Sequence, residues 1–599
     1  MHSHTPVFRA LLSLMAAAGC FAAAASYAAA ADSAGLQTIA EQSKFLHTGR
    51  YAETERLCKA YANAWRDAVR CVEFGRTPEE RPMVALVASR SGALTPEEAR
   101  RRDLPVLLLQ GGIHAGEIDG KDAGFVALRE LLADSVAPGA LKAFVLVFVP
   151  VFNVDGHERF GPWNRPNQIG PQEMGWRATA QNLNLNRDYA KADAPEMQAM
   201  LRLLNSWDPV LYVDMHVTDG AQFQHDVSNT LEPIYAGDPE LHPAGQSLLA
   251  ELNGKLATLG SLPLDFYPSF LVDDDPASGF GVIAAPPRFS TGYWSLHNRF
   301  ALLVETHSWK DYATRVRVTR NIIVTLAEMT AREGSRWRAQ THAADVRAQQ
   351  LGGQTVALDF DTGPHVTTID FRGYAYTRDP SAISGSLVTR YDPTKPQVWH
   401  VPLRDTVVAK VSAQAPRGGY IVPAAHAAWM ADKLSLHGIR FVKLVKPLND
   451  AQLETFRATK VSYSKAPFEG HTTATFEGAW AQERRAVPAG SLFVPIAQPN
   501  ARLLVALLEP QAPDSFAAWG FFNTAFEAKE YMEPYVAEQV ALDLLAHDPR
   551  VAEAFKKRLA EDPQFAASPS ARLDFFYRRH PSWDERLNLY PVYHIAAAP

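Results

Sequence analysis

The stretch Leu107-Leu108-Leu109-Gln110-Gly111-Gly112-Ile113-His114-Ala115-Gly116-Glu117 decides how the rest of the chain is read. It begins as an unbroken apolar run, the pattern of a strand buried on both faces rather than one with a wet face. Two glycines then turn the chain out of the strand, and a His-x-x-Glu pair leaves the strand end. A neutral imidazole and a carboxylate are two of the three protein ligands in many catalytic zinc sites, which keep a fourth position for water. Alone the pair is common in large proteins. Its surroundings give it weight.

Working outward, Val210-Leu211-Tyr212-Val213-Asp214-Met215-His216 is a second apolar run that closes on a histidine. His216 is therefore the candidate third ligand. Phe300-Ala301-Leu302-Leu303-Val304-Glu305-Thr306-His307 is a third such run, and a carboxylate at its end is costly to bury unless it is paired or serves as a general base. Between these runs lies Asn182-Leu183-Asn184-Leu185-Asn186-Arg187, with Arg177 nine residues ahead of Asn186. One arginine there offers a planar fork for a carboxylate, and a second can meet a developing oxyanion.

Buried strands are thus expected at 106–110, 144–152, 210–215 and 300–304, with a further strand at 83–88. Helical spacing marks 51–69, 120–132, 195–204 and 242–259. Strands alternating with helices predict an α/β fold, a mixed and largely parallel sheet covered by helices on both faces. Such sheets bind ligands outside the carboxyl ends of their strands, where three of the four polar elements fall. A boundary is expected near 336–353, where an Arg/Gln/Ala-rich helix meets Leu351-Gly352-Gly353. The expected organisation is a catalytic domain over 36–335 and an α+β accessory region over 352–599, with strands at 406–411 and 440–444 and helices at 424–436 and 534–545.

With Asn153-Val154-Asp155-Gly156 after the preceding strand, these elements in this order resemble the zinc carboxypeptidase family typified by carboxypeptidase A, over roughly residues 45–330. The resemblance implies one zinc per chain held by His114, Glu117 and His216, and Glu305 as general base. It implies Asn186 and Arg187 as binders of the substrate's terminal carboxylate and Arg177 as oxyanion stabiliser, with Arg159 and Arg165 as neighbours in the same connection. Tyr293, in preference to Tyr267, is expected to cap the substrate. The implied partner is a peptide with a free carboxyl terminus.

The chain departs from the family in two places. Asn184 stands where many relatives have an aspartate that accepts from the first zinc histidine, and its amide oxygen is the expected substitute. Gly116 stands where digestive members carry arginine between the ligands, which predicts a missing subsite contact. His157, His225, His297 and His307 lack the strand-end spacing and are read as ordinary polar residues. Asp273-Asp274-Asp275 is read as a solvated loop.

The full chain has 599 residues with 59 basic and 65 acidic side chains, a net charge of −6. No basic run exceeds three residues, so a phosphate-backbone footprint is lacking and nucleic acid is excluded as a partner. No Gly-x-Ser-x-Gly elbow, His-Glu-x-x-His or phosphate loop is present, which removes serine hydrolase, zincin and nucleotide readings. The amidase or deacylase acting on cell-wall peptides or N-acyl amino acids remains, as does a non-catalytic binding protein of the same fold.

Residues 1–31 carry Arg9, an Ala/Leu-rich run from Ala10 to Ala25, and Ala29-Ala30-Ala31. They read as a cleaved secretory signal, against an uncleaved anchor or a lipoprotein signal at Cys20, and imply a periplasmic or secreted protein. No other run reaches the ~18 apolar residues of a membrane helix, so no stable span is expected after cleavage. Of three cysteines, Cys58 and Cys71 remain in the mature chain, on an expected helix and strand, as one disulfide or two buried thiols.

Overall fold

A computed structural model describes residues 35–599, so the signal-peptide reading lies outside the described residues. The central sheet has eight strands in the order β1-β2-β4-β3-β5-β9-β6-β7. These are β1 (Val69–Arg76), β2 (Pro82–Ala88), β3 (Val106–Gly111), β4 (Val145–Val149), β5 (Leu211–Thr218), β6 (Val227–Glu232), β7 (Pro263–Leu264) and β9 (Phe300–His307). The inner strands β4, β3, β5 and β9 run parallel, while β2 pairs antiparallel with β4 and β6 antiparallel with β9. β3, β4 and β5 are buried along their whole length, which is why they read as continuous apolar runs.

Helices Tyr51–Ala64, Asp119–Leu132, Pro195–Trp207, His242–Thr258 and Tyr312–Ala348 pack on this sheet. Pro195 opens its helix at a position that needs no amide hydrogen, and Asp311 caps the longest one by accepting from Thr314 N–H. Cys58 and Cys71 are joined, tying helix Tyr51–Ala64 to β1.

At the carboxyl end of β3 the chain makes the exit that the site requires. Gly112 has φ +62°, a left-handed conformation that glycine adopts without strain. A Cβ on Gly111 would fall 2.7 Å from the carbonyl oxygen of Pro150. Only glycines let β3 pass the neighbouring strand end and release His114 toward the centre of the sheet.

Beyond Ala348 the chain is α+β, as expected from the sequence. The pair β10 (Thr355–Thr362) and β13 (Val407–Gln414) is followed in space by a long hairpin, β11 (Val366–Pro380) with β12 (Leu387–Arg404), to which β8 (Phe280–Gly281) adds in parallel. A six-stranded sheet is built from β14 (Gly419–Val422), β15 (Val442–Lys443), β16 (Leu448–Tyr463), β17 (Ala474–Val487), β18 (Leu492–Pro495) and β19 (Tyr593–Ile595). Helices include Ala427–Leu436 and Pro534–His547.

One contiguous apolar core runs through both stretches, from Met197 and Leu204 to Met430, Leu434 and Leu503. Polar contacts cross the same seam: Asn205 Nδ2 donates to Leu436 O at 2.7 Å and Asn298 Nδ2 to Pro499 O at 3.0 Å. No helix among the described residues is long and apolar enough to cross a membrane.

Several histidines are locked into this core as neutral rings. Burial pushes His157 down to about 4 and His297 and His437 down to about 3. Their folded-state values lie below that of the unfolded chain, so the unfolded state takes up protons first. Stability is then full above pH 6.5 and is lost as pH falls toward 4. Each fully buried ring contributes on the order of 3 kcal/mol across that window. Thermal unfolding followed by circular dichroism is expected to show a midpoint falling steadily from pH 7 to pH 4. A flat midpoint would mean these rings are solvated.

Candidate active site

The three strand-end elements converge at the carboxyl edge of the sheet. His114 follows the glycine exit from β3, and Glu117 lies one turn on, its N–H donating to His114 O at 2.8 Å. His216 is on β5. The β5–β9 register places Glu305 directly beside it. Relative exposures are 2% for His114, 3% for Glu117 and His216, and 8% for Glu305. One ligand atom from each of His114, Glu117 and His216 can be chosen so that all lie within 4.8 Å of one another.

Burial pushes the His114 ring well below its usual range, leaving a neutral donor whose Nδ1 has no protein partner. At Glu117, burial opposes ionisation, yet Arg165 and the two histidines hold the carboxyl well below the usual carboxylate range. Its Oε1 is 2.9 Å from Arg165 Nη1 and 3.4 Å from Arg177 Nη1, while Oε2 accepts from Val217 N–H at 3.0 Å and meets His216 Nδ1 at 3.0 Å. Burial lowers His216, but Asp214 and Glu117 more than reverse this, so metal entering there displaces a proton. Two imidazoles and one carboxylate, with an orphaned buried nitrogen, fit zinc; the all-oxygen shell of calcium or magnesium is not offered.

Burial lifts the Glu305 carboxyl to about 8, with His216 pulling down and the carboxylates of Glu117 and Asp214 adding to the rise. Its Oε2 has no partner. A group in this state can take up a proton near neutral pH.

The cavity in front of these residues has a volume of about 670 Å³. Arg165, Arg177, Asn186, Arg187, Tyr267 and Phe289 are among the side chains on its wall. Arg187 donates to Asn186 O at 2.7 Å and lies over the Phe289 ring at 4.4 Å. Burial, together with Arg177 and Arg288, lowers its pKa, and among the described residues no carboxylate forms an ion pair with it. It is a cation awaiting an anion.

Three sequence expectations are corrected here. Tyr293 does not line the cavity. It sits on the buried helix Ser290–Ser295, fully inaccessible, and its hydroxyl is 2.9 Å from His437 Nδ1. Tyr267 is on the cavity wall instead, its hydroxyl accepting from Thr218 Oγ1 at 3.3 Å. Asn184 does not reach His114: its side chain accepts from Asn186 N–H at 3.1 Å, and the outer nitrogen of His114 faces the Asn186 amide at 3.4 Å.

Gly116 does not leave a gap. A Cβ there would fall 2.5 Å from Arg165 Cγ, so the glycine makes room for a guanidinium arriving from another loop. Gln168 ties that loop down by donating to Gly116 O at 3.0 Å, and buried Arg315 donates to the carbonyl oxygens of Ile169 and Gly170.

Contacts from the far end of the chain, unmarked in the sequence, also reach the site. Asn184 N–H donates to Glu469 Oε2 at 2.9 Å, and His471 Nε2 meets Asp193 Oδ2 at 2.7 Å, so the β16–β17 turn braces the Asn186–Arg187 loop. No local signal at 469 or 471 marks them, because the contacts span more than 270 positions. His157, His225, His297 and His307 stand outside the ligand cluster.

Residues 54–244 match the family model described as zinc carboxypeptidase. The chain is similar to carboxypeptidase 2 of Trichophyton tonsurans, 22% identical over 77% of this chain and 81% of that protein. It is also similar to carboxypeptidase 2 of Trichophyton rubrum, 22% identical over 73% and 77%. Among solved structures, a putative carboxypeptidase A from Shewanella denitrificans aligns with 17% identity over 48% of this chain and 70% of that one (TM-score 0.35). Carboxypeptidase A from Helicoverpa armigera aligns with 14% identity over 49% and 73% (TM-score 0.36). The family match includes His114, Glu117, Arg177, Asn186, Arg187 and His216 but ends before Glu305, whose place in the site rests on the β5–β9 register.

If the cluster is the metal centre, purified protein should carry about one zinc per chain by elemental analysis. A His114→Ala, His216→Ala double variant should carry almost none; retention of zinc would reject the assignment.

Proposed function

This chain carries a zinc carboxypeptidase domain and is a metallocarboxypeptidase, and from that premise we propose that it removes the carboxyl-terminal residue of peptides outside the cytoplasm. The observation that carries the exopeptidase reading is Arg187, a partly buried guanidinium without a carboxylate partner among the described residues, on the same cavity as the His-Glu-His cluster. A substrate's terminal carboxylate supplies the missing anion, with the Asn186 amide beside it.

His114, Glu117 and His216 would hold one zinc, which when bound supplies Lewis acidity toward the scissile carbonyl and an acidified water. The remaining work belongs to the chain's own side chains. Glu305 takes the proton from the attacking water at its carboxylate and passes one to the leaving amine. Arg177, with its side chain 41% exposed, can swing toward the carbonyl oxygen as negative charge develops. Arg165, 9% exposed and anchored on Glu117, is poorly placed to do so. Tyr267, on the wall of the same cavity, covers the substrate. The Ala/Leu-rich amino-terminal stretch and the Cys58–Cys71 bridge support export to an oxidising compartment.

Hydrolysis of one peptide as free acid and as terminal amide, in wild type and in Arg187→Ala, tests this reading. An amide leaves the guanidinium unpaired, which costs on the order of 2–5 kcal/mol, or roughly thirty-fold to several-thousand-fold in kcat/KM. The free-acid preference should collapse in the variant. Equal rates on both substrates in wild type would reject terminal-carboxylate recognition and favour a general zinc amidase.

A further inference from the structure

Behind His216 lies a polar chain that the hydrolytic mechanism leaves unused. β3 and β5 place Gln110 opposite Asp214, so the two side chains share one face of the sheet. Gln110 Nε2 donates to Asp214 Oδ1 at 2.7 Å. Gln110 Oε1 accepts from Tyr212 OH at 2.6 Å and from Tyr189 OH at 3.3 Å, and the two hydroxyls lie 2.6 Å apart. All four side chains are at most 1% exposed. The remaining oxygen, Asp214 Oδ2, lies 3.0 Å from His216 Nε2, the ring nitrogen pointing away from Glu117. It is a charge contact rather than a linear hydrogen bond.

We propose that Asp214 is the positioning residue of this metal centre: braced by Gln110 and two tyrosines, it fixes the His216 ring so that Nδ1 faces the site. The proposal rests on the reading of His114, Glu117 and His216 as ligands. Its support is the distribution of charge around them. The outer nitrogen of His114 faces a neutral amide, and the outer contacts of Glu117 are cations and a backbone N–H. Asp214 is the one carboxylate, among the described residues, that backs a ligand histidine from outside the cluster. An anion behind a ligand imidazole strengthens its donor nitrogen and fixes its tautomer. The anion that Asn184 cannot supply to the first histidine is thus supplied to the second.

Energetics favour a role over accident. A carboxylate on a fully buried strand, with one amide donor and one ring nitrogen as neighbours, is an expensive way to fill that volume. Asparagine or leucine would fill it at lower cost. The other end of the chain is also informative: Tyr189 is two residues past Arg187, so the carboxylate-binding loop and the metal ligand are set against one shared support.

The test is zinc affinity, measured by competition with a chromophoric chelator at fixed pH, for wild type, Asp214→Asn and Gln110→Met. Asp214→Asn should weaken zinc about 10–100-fold and alter the visible spectrum of the cobalt-substituted protein, without lowering the thermal midpoint of the metal-free form. Gln110→Met, which removes the brace and keeps the carboxylate, should weaken zinc several-fold. Affinity within two-fold of wild type and an unchanged cobalt spectrum in Asp214→Asn would overturn the proposal. If that variant does not fold, the same result in Gln110→Met overturns it. His216→Ala separates the two readings: loss of zinc there with none in Asp214→Asn removes only the positioning role, whereas retained zinc in His216→Ala removes the ligand assignment itself.

Discussion

The carboxylate of Glu117 is the group on which the rest of the site depends. Removing an anion this fully from water carries a penalty of several kcal/mol unless its oxygens are matched, and each oxygen is. Arg165 and Arg177 meet one, and the Val217 amide and His216 meet the other. Much of the local architecture follows from that requirement. Gly116 is a glycine because Arg165 must cross it, the Gln168 loop is anchored so that Arg165 stays, and Gly111 and Gly112 let β3 end where Glu117 can reach β5. Parallel pairing then brings His216 and Glu305 side by side from two strands.

The sequence was most legible where burial is two-sided. β3, β4, β5 and β9 lose the alternation of a half-wet strand and show apolar runs, so a polar residue closing such a run stands out. His114, Glu117, His216 and Glu305 are legible for that reason. β6 lacks an apolar run because Ser228, Asn229 and Thr230 interrupt it; inside the fold Ser228 Oγ donates to Phe266 O and Asn229 Nδ2 to Asn253 Oδ1. The preference for Tyr293 over Tyr267 fails because Tyr293 packs against His437, from beyond residue 430, a contact that local sequence does not signal. Asp214 stands inside the apolar run of β5, and a carboxylate in the middle of a buried run is a signal in itself.

The long stretch after Ala348 is built into the site rather than appended to it. Its β16–β17 turn touches the backbone at Asn184 through Glu469, and Lys433 and His471 both reach Asp193 just past the Asn186–Arg187 pair. Asp514 holds Arg288 next to Phe289, on which Arg187 rests. The loop proposed to grip a substrate's carboxylate is therefore braced by two parts of the chain that fold onto one core.

A hydrolytic centre and a static metal clip differ at Glu305. Glu305→Gln keeps the size of the side chain while removing its capacity to move a proton. Turnover of a free-acid peptide at saturating concentration, measured with zinc content assayed on the same sample, is the direct test. The expected rate is lower by about two to four powers of ten with zinc still bound. Near-normal turnover by the zinc-loaded variant would contradict it.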